Sequence, residues 1–105
     1  MSSFASSLSG LNAASWLVGV SAGNVANLNS EGYRAKRVEF AANSDGTVLV
    51  QPPTESAAEP SPGGSNVDLA TELVNLMVAS TYFKANAVAI KTQGEILGTT
   101  LDLKA

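Results

Sequence analysis

Apolar residues in the last third of the chain recur with a strict step. Leu69, Leu73, Leu76, Ser80, Phe83, Ala87, Ile90, Gly94, Leu97 and Leu101 stand alternately four and three residues apart. That is the spacing of a seven-residue repeat, which puts all ten positions on one seam of a long α-helix. Ser80, Ala87 and Gly94 are small, so a partner helix can approach the backbone beside them. A helix over 66–104 is about 55 Å long at the α-helical rise. Everything before such a rod must pair with it or decorate it.

The first segment, Ser3 to Asn29, repeats the pattern. Phe4, Leu8, Leu11, Ser15, Val18, Ala22 and Val25 again alternate steps of four and three. A second apolar edge runs through Ala14, Leu17, Val20 and Leu28, and Trp16 lies off the main seam. That edge reads either as further core or as a contact with another subunit. Two long segments sharing one period at opposite ends of a chain predict an antiparallel coiled-coil pair, each seam buried on the other. Val74, Met77, Val78, Val88 and Ile96 fall off the seam. They are expected to remain exposed, and exposed apolar stripes of that size mark partners.

Between the helices the period changes. Asn29-Ser30-Glu31-Gly32 ends the first helix, with Gly32 suited to the left-handed conformation that closes many helices. Residues Arg37 to Phe40 and Thr47 to Gln51 read as two short strands around the turn Asn43-Ser44-Asp45-Gly46. A β-hairpin this small is barely stable alone, so it should lie on a helix or on another subunit. Arg34, Lys36 and Arg37 read as a solvated face at its base. Pro52, Pro53, Pro60, Pro62, Gly63 and Gly64 mark a linker, extended and mobile or ordered only by contacts. Ser65, followed by Asp68, resembles a capping box at the start of the second helix. The fold class is therefore mainly α, in one structural domain. Residues 1–32 are an N-terminal helix, 33–51 a β-hairpin, 52–65 a Pro/Gly-rich linker and 66–105 a C-terminal helix.

Composition narrows the function. The chain has 105 residues, 45% hydrophobic but only 6% aromatic and 14% charged. Many small apolar contacts and few large anchors make a compact monomer marginal. A net charge of −3 without a basic run argues against nucleic acid. With no Cys and no His, thiol chemistry, zinc sites and histidine acid–base catalysis are absent. No catalytic constellation and no cofactor loop stands out. Gly19 to Gly23 and Gly94 to Gly98 are Gly-x-x-x-Gly spacings, which in a soluble helix mark close packing. Met1-Ser2-Ser3-Phe4 lacks a basic n-region, and no continuous apolar run reaches the length that spans a bilayer. Export, if it occurs, is expected by a route that reads no Sec-type signal.

The stretch Ala22-Gly23-Asn24-Val25-Ala26-Asn27-Leu28-Asn29-Ser30-Glu31-Gly32-Tyr33 resembles the N-terminal signature of bacterial flagellar rod and hook axial proteins, Ala-Asn-Asn-Ile-Ala-Asn, two variable residues, then Thr-Pro-Gly-Tyr. Asn24, Ala26, Asn27, Gly32 and Tyr33 match it. Asn66, Val67 and Asp68, with Phe83, Ala85, Asn86 and Leu97 to Leu101, are similar to the family's C-terminal helix. The likeness covers about two-thirds of the chain. Gly23, Ser30-Glu31 and Ser80-Thr81 depart from the pattern, and the short middle is closest to the small proximal-rod subunits. The resemblance implies a structural, non-enzymatic basal-body rod subunit, exported unfolded by the flagellar type III apparatus. It implies polymerisation through the terminal helices into a hollow axial tube in the periplasm, which transmits torque. Its expected partners are itself, other axial proteins and the export apparatus, with no membrane insertion. The helix-pairing and subunit-contact residues are expected to be Phe4, Leu8, Leu11, Val18, Ala22, Val25, Leu69, Leu73, Leu76, Phe83, Ala87, Ile90, Leu97 and Leu101. The competing readings are a small secreted helical-hairpin dimer and a helical adaptor or export chaperone.

Overall fold

The computed structural model describes residues 2–104, with the side chains of residues 3–103. Its elements run α1 (Ser2–Ala26), β1 (Lys36–Arg37), β2 (Phe40–Ala42), β3 (Val48–Val50), β4 (Thr54–Glu55) and α2 (Leu69–Lys104). The two helices lie side by side and antiparallel. Gly10 of α1 meets Asn86 of α2, and nearer the start of α1 the Gln93 amide nitrogen donates to Ser3 O at 3.3 Å and Ser7 Oγ at 3.4 Å. The described chain is an elongated body of 67 × 24 × 14 Å.

The face on which the helices meet differs from the expected seam. On α1 the buried residues are Ser7, Ala13, Ala14, Ser21 and Asn24, and on α2 they are Glu72 and Ala79. The inward line on α1 is thus Ser7, Gly10, Ala14, Leu17, Ser21, Asn24 and Leu28, which also repeats every seven residues. It includes three members of the second apolar edge, of which Ala14 is buried and Leu17 and Leu28 are half-buried. Small side chains decide the choice. They let the two backbones approach, whereas a Phe4–Leu8–Leu11 ridge would hold them apart. At Gly10 the approach is so close that an added Cβ would lie 2.5 Å from Asn86 Oδ1. Gly10→Ala should therefore destabilise the chain by about 1 kcal/mol despite its better helix propensity, because Asn86 must be displaced. Asn86→Ala in the same chain should restore the loss, which urea unfolding of the single and double variants measures.

The hairpin is longer than the expected one. β2 pairs antiparallel with β3, Phe40 opposite Val50 and Ala42 opposite Val48. Beyond it the ladder resumes, with β1 antiparallel to β4 and Lys36 opposite Glu55. Pro52 and Pro53 have no N–H to donate, and they account for the interruption. The expected linker is therefore ordered in part. Arg34 Nη1 donates to the carbonyls of Ser56, Ala57 and Ala58 at 3.3, 3.1 and 2.9 Å, and its Nη2 reaches Glu59 Oε1 at 3.3 Å. Arg34 is thus a clamp on residues 56–59, not part of a solvated face. The ribbon lies along α1, where Ser6 Oγ donates to Gly46 O and Ser9 Oγ accepts from Val48 N at 3.0 Å.

Gly46 at the tip has φ +86°, a conformation that excludes most side chains. Asp45 Oδ1 accepts there from Thr47 Oγ1 at 2.6 Å and Thr47 N at 3.0 Å. The Thr47 hydroxyl and then its amide hold the Asp45 carboxyl below its ordinary pKa of 3.8. A lowered pKa means the turn is fully held above the ordinary aspartate range and loosens as pH falls below it. An NMR titration of the Thr47 amide should show one transition, with its midpoint below 3.8.

α2 begins differently from the expected capping box. Asp68 is the cap, its Oδ1 accepting from Ala70 N at 3.1 Å. Ser65 instead donates to Leu28 O at 2.6 Å and accepts from Val67 N at 3.2 Å, tying the two helix ends together.

Candidate assembly surface

Of the residues singled out by their sequence motif, Asn24, Asn27, Gly32, Tyr33 and Asn66 converge on the closed end of the helix pair. Asn24 is fully buried. Its Oδ1 accepts from Tyr33 Oη at 3.0 Å and from Lys36 N at 2.9 Å, and its Nδ2 donates to Lys36 O at 2.8 Å. One side chain thus satisfies both backbone groups of the first ribbon residue. Asn27 Nδ2 closes the helix end on Gly23 O at 2.8 Å, and its Oδ1 accepts from Ser30 Oγ at 3.0 Å. Gly32, with φ +74°, donates its N–H to Gly64 O at 2.9 Å. Asn66 accepts from Ala35 N and donates to Ala58 O at 2.7 Å. Val67 is half-buried beside this knot, Ala26 and Ala85 are exposed, and Asn86 is half-buried over Gly10.

The apolar seam residues lie elsewhere. Phe4, Leu8, Val18 and Ala22 of α1 face solvent, and Leu11 and Val25 are half-buried. On α2, Leu76 and Ile90 are half-buried flanks of the helix contact, whereas Leu69, Leu73, Phe83, Ala87, Leu97 and Leu101 are exposed. The expectation that each seam is buried on the other is corrected accordingly. Val74, Met77, Val88, Ile96 and Leu103 extend the open face, each more than half exposed. No Cβ added at Gly19, Gly23, Gly94 or Gly98 would meet an atom within 4 Å, so all four glycines lie open. Close backbone approach is available there and unused within the chain. At the free end of the pair, Phe4, Gly94 and Leu97 line an apolar groove.

Among the described residues no group of three or more acidic side chains could hold a metal ion. Arg34–Glu59 is the one ion pair among them. By length and composition α2 is also apolar enough to cross a membrane, although it contains no continuous apolar run of that length. Its charges are few and widely spaced, and Lys84 stands near the middle.

Residues 63–103 match the family profile described as Flagellar basal body rod FlgEFG protein C-terminal. The flagellar hook protein FlgE of Escherichia coli (strain K12) is 52% identical over 40 residues, 38% of this chain and 10% of that protein. FlgE of Salmonella typhimurium matches to the same extent. FlgE of Helicobacter pylori (strain 26695) is 50% identical over 40 residues, 38% of this chain and 6% of that protein. The chain thus spans a tenth or less of the length of these curated relatives.

Proposed function

We propose that this chain, which carries the C-terminal sequence of the flagellar rod and hook axial proteins, is a structural subunit of the flagellar basal-body rod. In this reading its terminal helices pair with those of other copies and of other axial proteins as a coiled-coil layer. The layer forms a hollow axial tube in the periplasm, through which torque passes. The chain reaches the growing tip unfolded, through the flagellar type III export apparatus and without a cleaved signal.

The observation that carries the reading is the exposed apolar surface of α2 from Leu69 to Leu103, with Phe4, Leu8 and Val18 exposed on α1. Leu69, Leu73, Phe83, Leu97 and Leu101 lie on the seam that the seven-residue repeat marks, Val74, Met77, Val88, Ile96 and Leu103 lie off it, and α1 covers neither group. Copies of the chain fit it better than lipid does. A bilayer would have to accept Lys84 near the midpoint of α2, with Lys91 two turns on, at several kcal/mol in total. The core is also slight: Ala13, Ala14, Val38 and Ala79 are its buried apolar side chains among the described residues. A chain so weakly held unfolds readily for export and gains its missing burial on assembly.

Far-UV circular dichroism over a dilution series, with sedimentation of the same samples, tests the proposal. Helicity should be low when dilute and rise together with sedimenting filaments. Full helicity that does not change with concentration, in a species no larger than a dimer, would instead identify a self-sufficient secreted hairpin. Stoichiometric capture of one partner without polymerisation would identify an adaptor.

A further inference from the structure

Glu72 is the one buried charged side chain among the described residues. It is only 5% exposed, and its Oε1 has no hydrogen-bond partner. Its position in the first turn of α2 places it favourably in the helix dipole, but that turn supplies no donor to the carboxylate. Glu72 and the exposed Asp68 line a cleft of about 460 Å³ between α1, β1 and the start of α2, with the Glu72 Oε1 buried in its wall. Lys36 and Arg37 also line the cleft, yet neither comes within 4 Å of an acidic oxygen. A buried carboxylate without a donor is costly, and a fold keeps one readily where a partner completes it.

We propose that this cleft is a socket for a lysine ammonium from a second copy of the chain, with Glu72 as its counter-charge. The proposal rests on the assembly reading above and adds a specific ionic contact to its apolar one. Among the described side chains the cations are Arg34, Lys36, Arg37, Lys84 and Lys91. Arg34 is engaged by residues 56–59, and Lys36 and Arg37 form the cleft's rim. Lys84 and Lys91 stand exposed on α2, one seven-residue repeat apart, with no ion-pair partner among the described residues. A neighbouring α2 laid along the cleft presents them as successive knobs of one stripe.

The socket separates stability from assembly. Glu72→Gln keeps the side chain's shape and removes an uncompensated charge, so the isolated chain should melt no lower than the parent. Its critical concentration for assembly should nevertheless rise about tenfold, as should that of Lys84→Gln or of Lys91→Gln, whichever lysine enters the socket. Zero-length carbodiimide coupling of a 1:1 mixture of ¹⁴N and ¹⁵N chains reads the contact directly. Mixed-isotope peptides joining Glu72 to Lys84 or Lys91 are expected. Coupling of Glu72 only to Lys36 of its own chain, or none between copies, overturns the socket. Such coupling in dimers that never sediment as filaments leaves the socket standing and removes the rod reading. Filaments that form without it, and at an unchanged critical concentration in Glu72→Gln, do the reverse. The absence of both coupling and filaments removes both.

Discussion

Asn24→Ala should lower the unfolding free energy by about 3 kcal/mol, the largest loss expected from any single side chain in this molecule. Three hydrogen bonds converge on Asn24, two of them with the backbone N–H and C=O of Lys36. Alanine removes all three and leaves the Tyr33 hydroxyl and the Lys36 N–H and C=O, all at part-buried contacts, without these partners. Ordinary domains have an unfolding free energy of roughly 5–15 kcal/mol, and a core of Ala13, Ala14, Val38 and Ala79 leaves the isolated chain below that range. The loss is therefore read at concentrations where the parent is helical. Tyr33→Phe deletes only one of the bonds and should cost about 1 kcal/mol. Urea unfolding of both variants, with hydrogen exchange at the Lys36 amide, gives the comparison. Equal losses for the two would mean that Asn24 does not hold the ribbon to α1.

That knot shows where the sequence was legible and where it was not. The two helices, the turn at Asp45-Gly46 and the left-handed Gly32 follow from periodicity and turn chemistry, which are local properties. Asn24 and Asn66 were marked only by motif, because their bonds run to residues 12 and 31 positions away. Composition does not reveal which carbonyl an amide will meet. Pro52 and Pro53 suggested the end of the ribbon, yet the ladder resumes at Thr54 once the missing donors are passed. Arg34 looked solvated because its acceptors are main-chain carbonyls, which leave no side-chain signal.

The helix contact was misplaced for a related reason. Two seven-residue patterns coexist on α1, an apolar one through Leu8 and Val18 and a small, polar one through Ala14 and Ser21. Hydrophobicity favours the first as a buried seam. Close packing favours the second, because small side chains bring two backbones together and Asn86 can fill the space over Gly10. The chain uses the small face internally and leaves the apolar one open. The burial of Glu72 comes from the arrangement of α1 and β1 around it, which no local pattern signals.

The largest effect on assembly is expected from the open face. Leu73 is 50% exposed and Leu101 60% exposed, both on the seam and both clear of the α1 contact. Leu73→Asp with Leu101→Asp should change the stability of the isolated chain by less than about 1 kcal/mol, since neither side chain is in the core. Each leucine buried against a neighbour contributes about 1.5–3 kcal/mol, and an aspartate there adds a desolvation cost. The critical concentration should therefore rise by at least a hundredfold, with solubility kept. Phe83→Asp should act in the same direction, because Phe83 is 44% exposed and stands on the seam between Leu76 and Ile90. Sedimentation and circular dichroism on the same samples separate the two effects. If the double variant sediments like the parent, the apolar seam is not what joins the copies. A parallel loss of helicity in the dilute double variant would instead make Leu73 and Leu101 part of the fold, and the open face would then have to be sought on α1 around Leu8 and Val18.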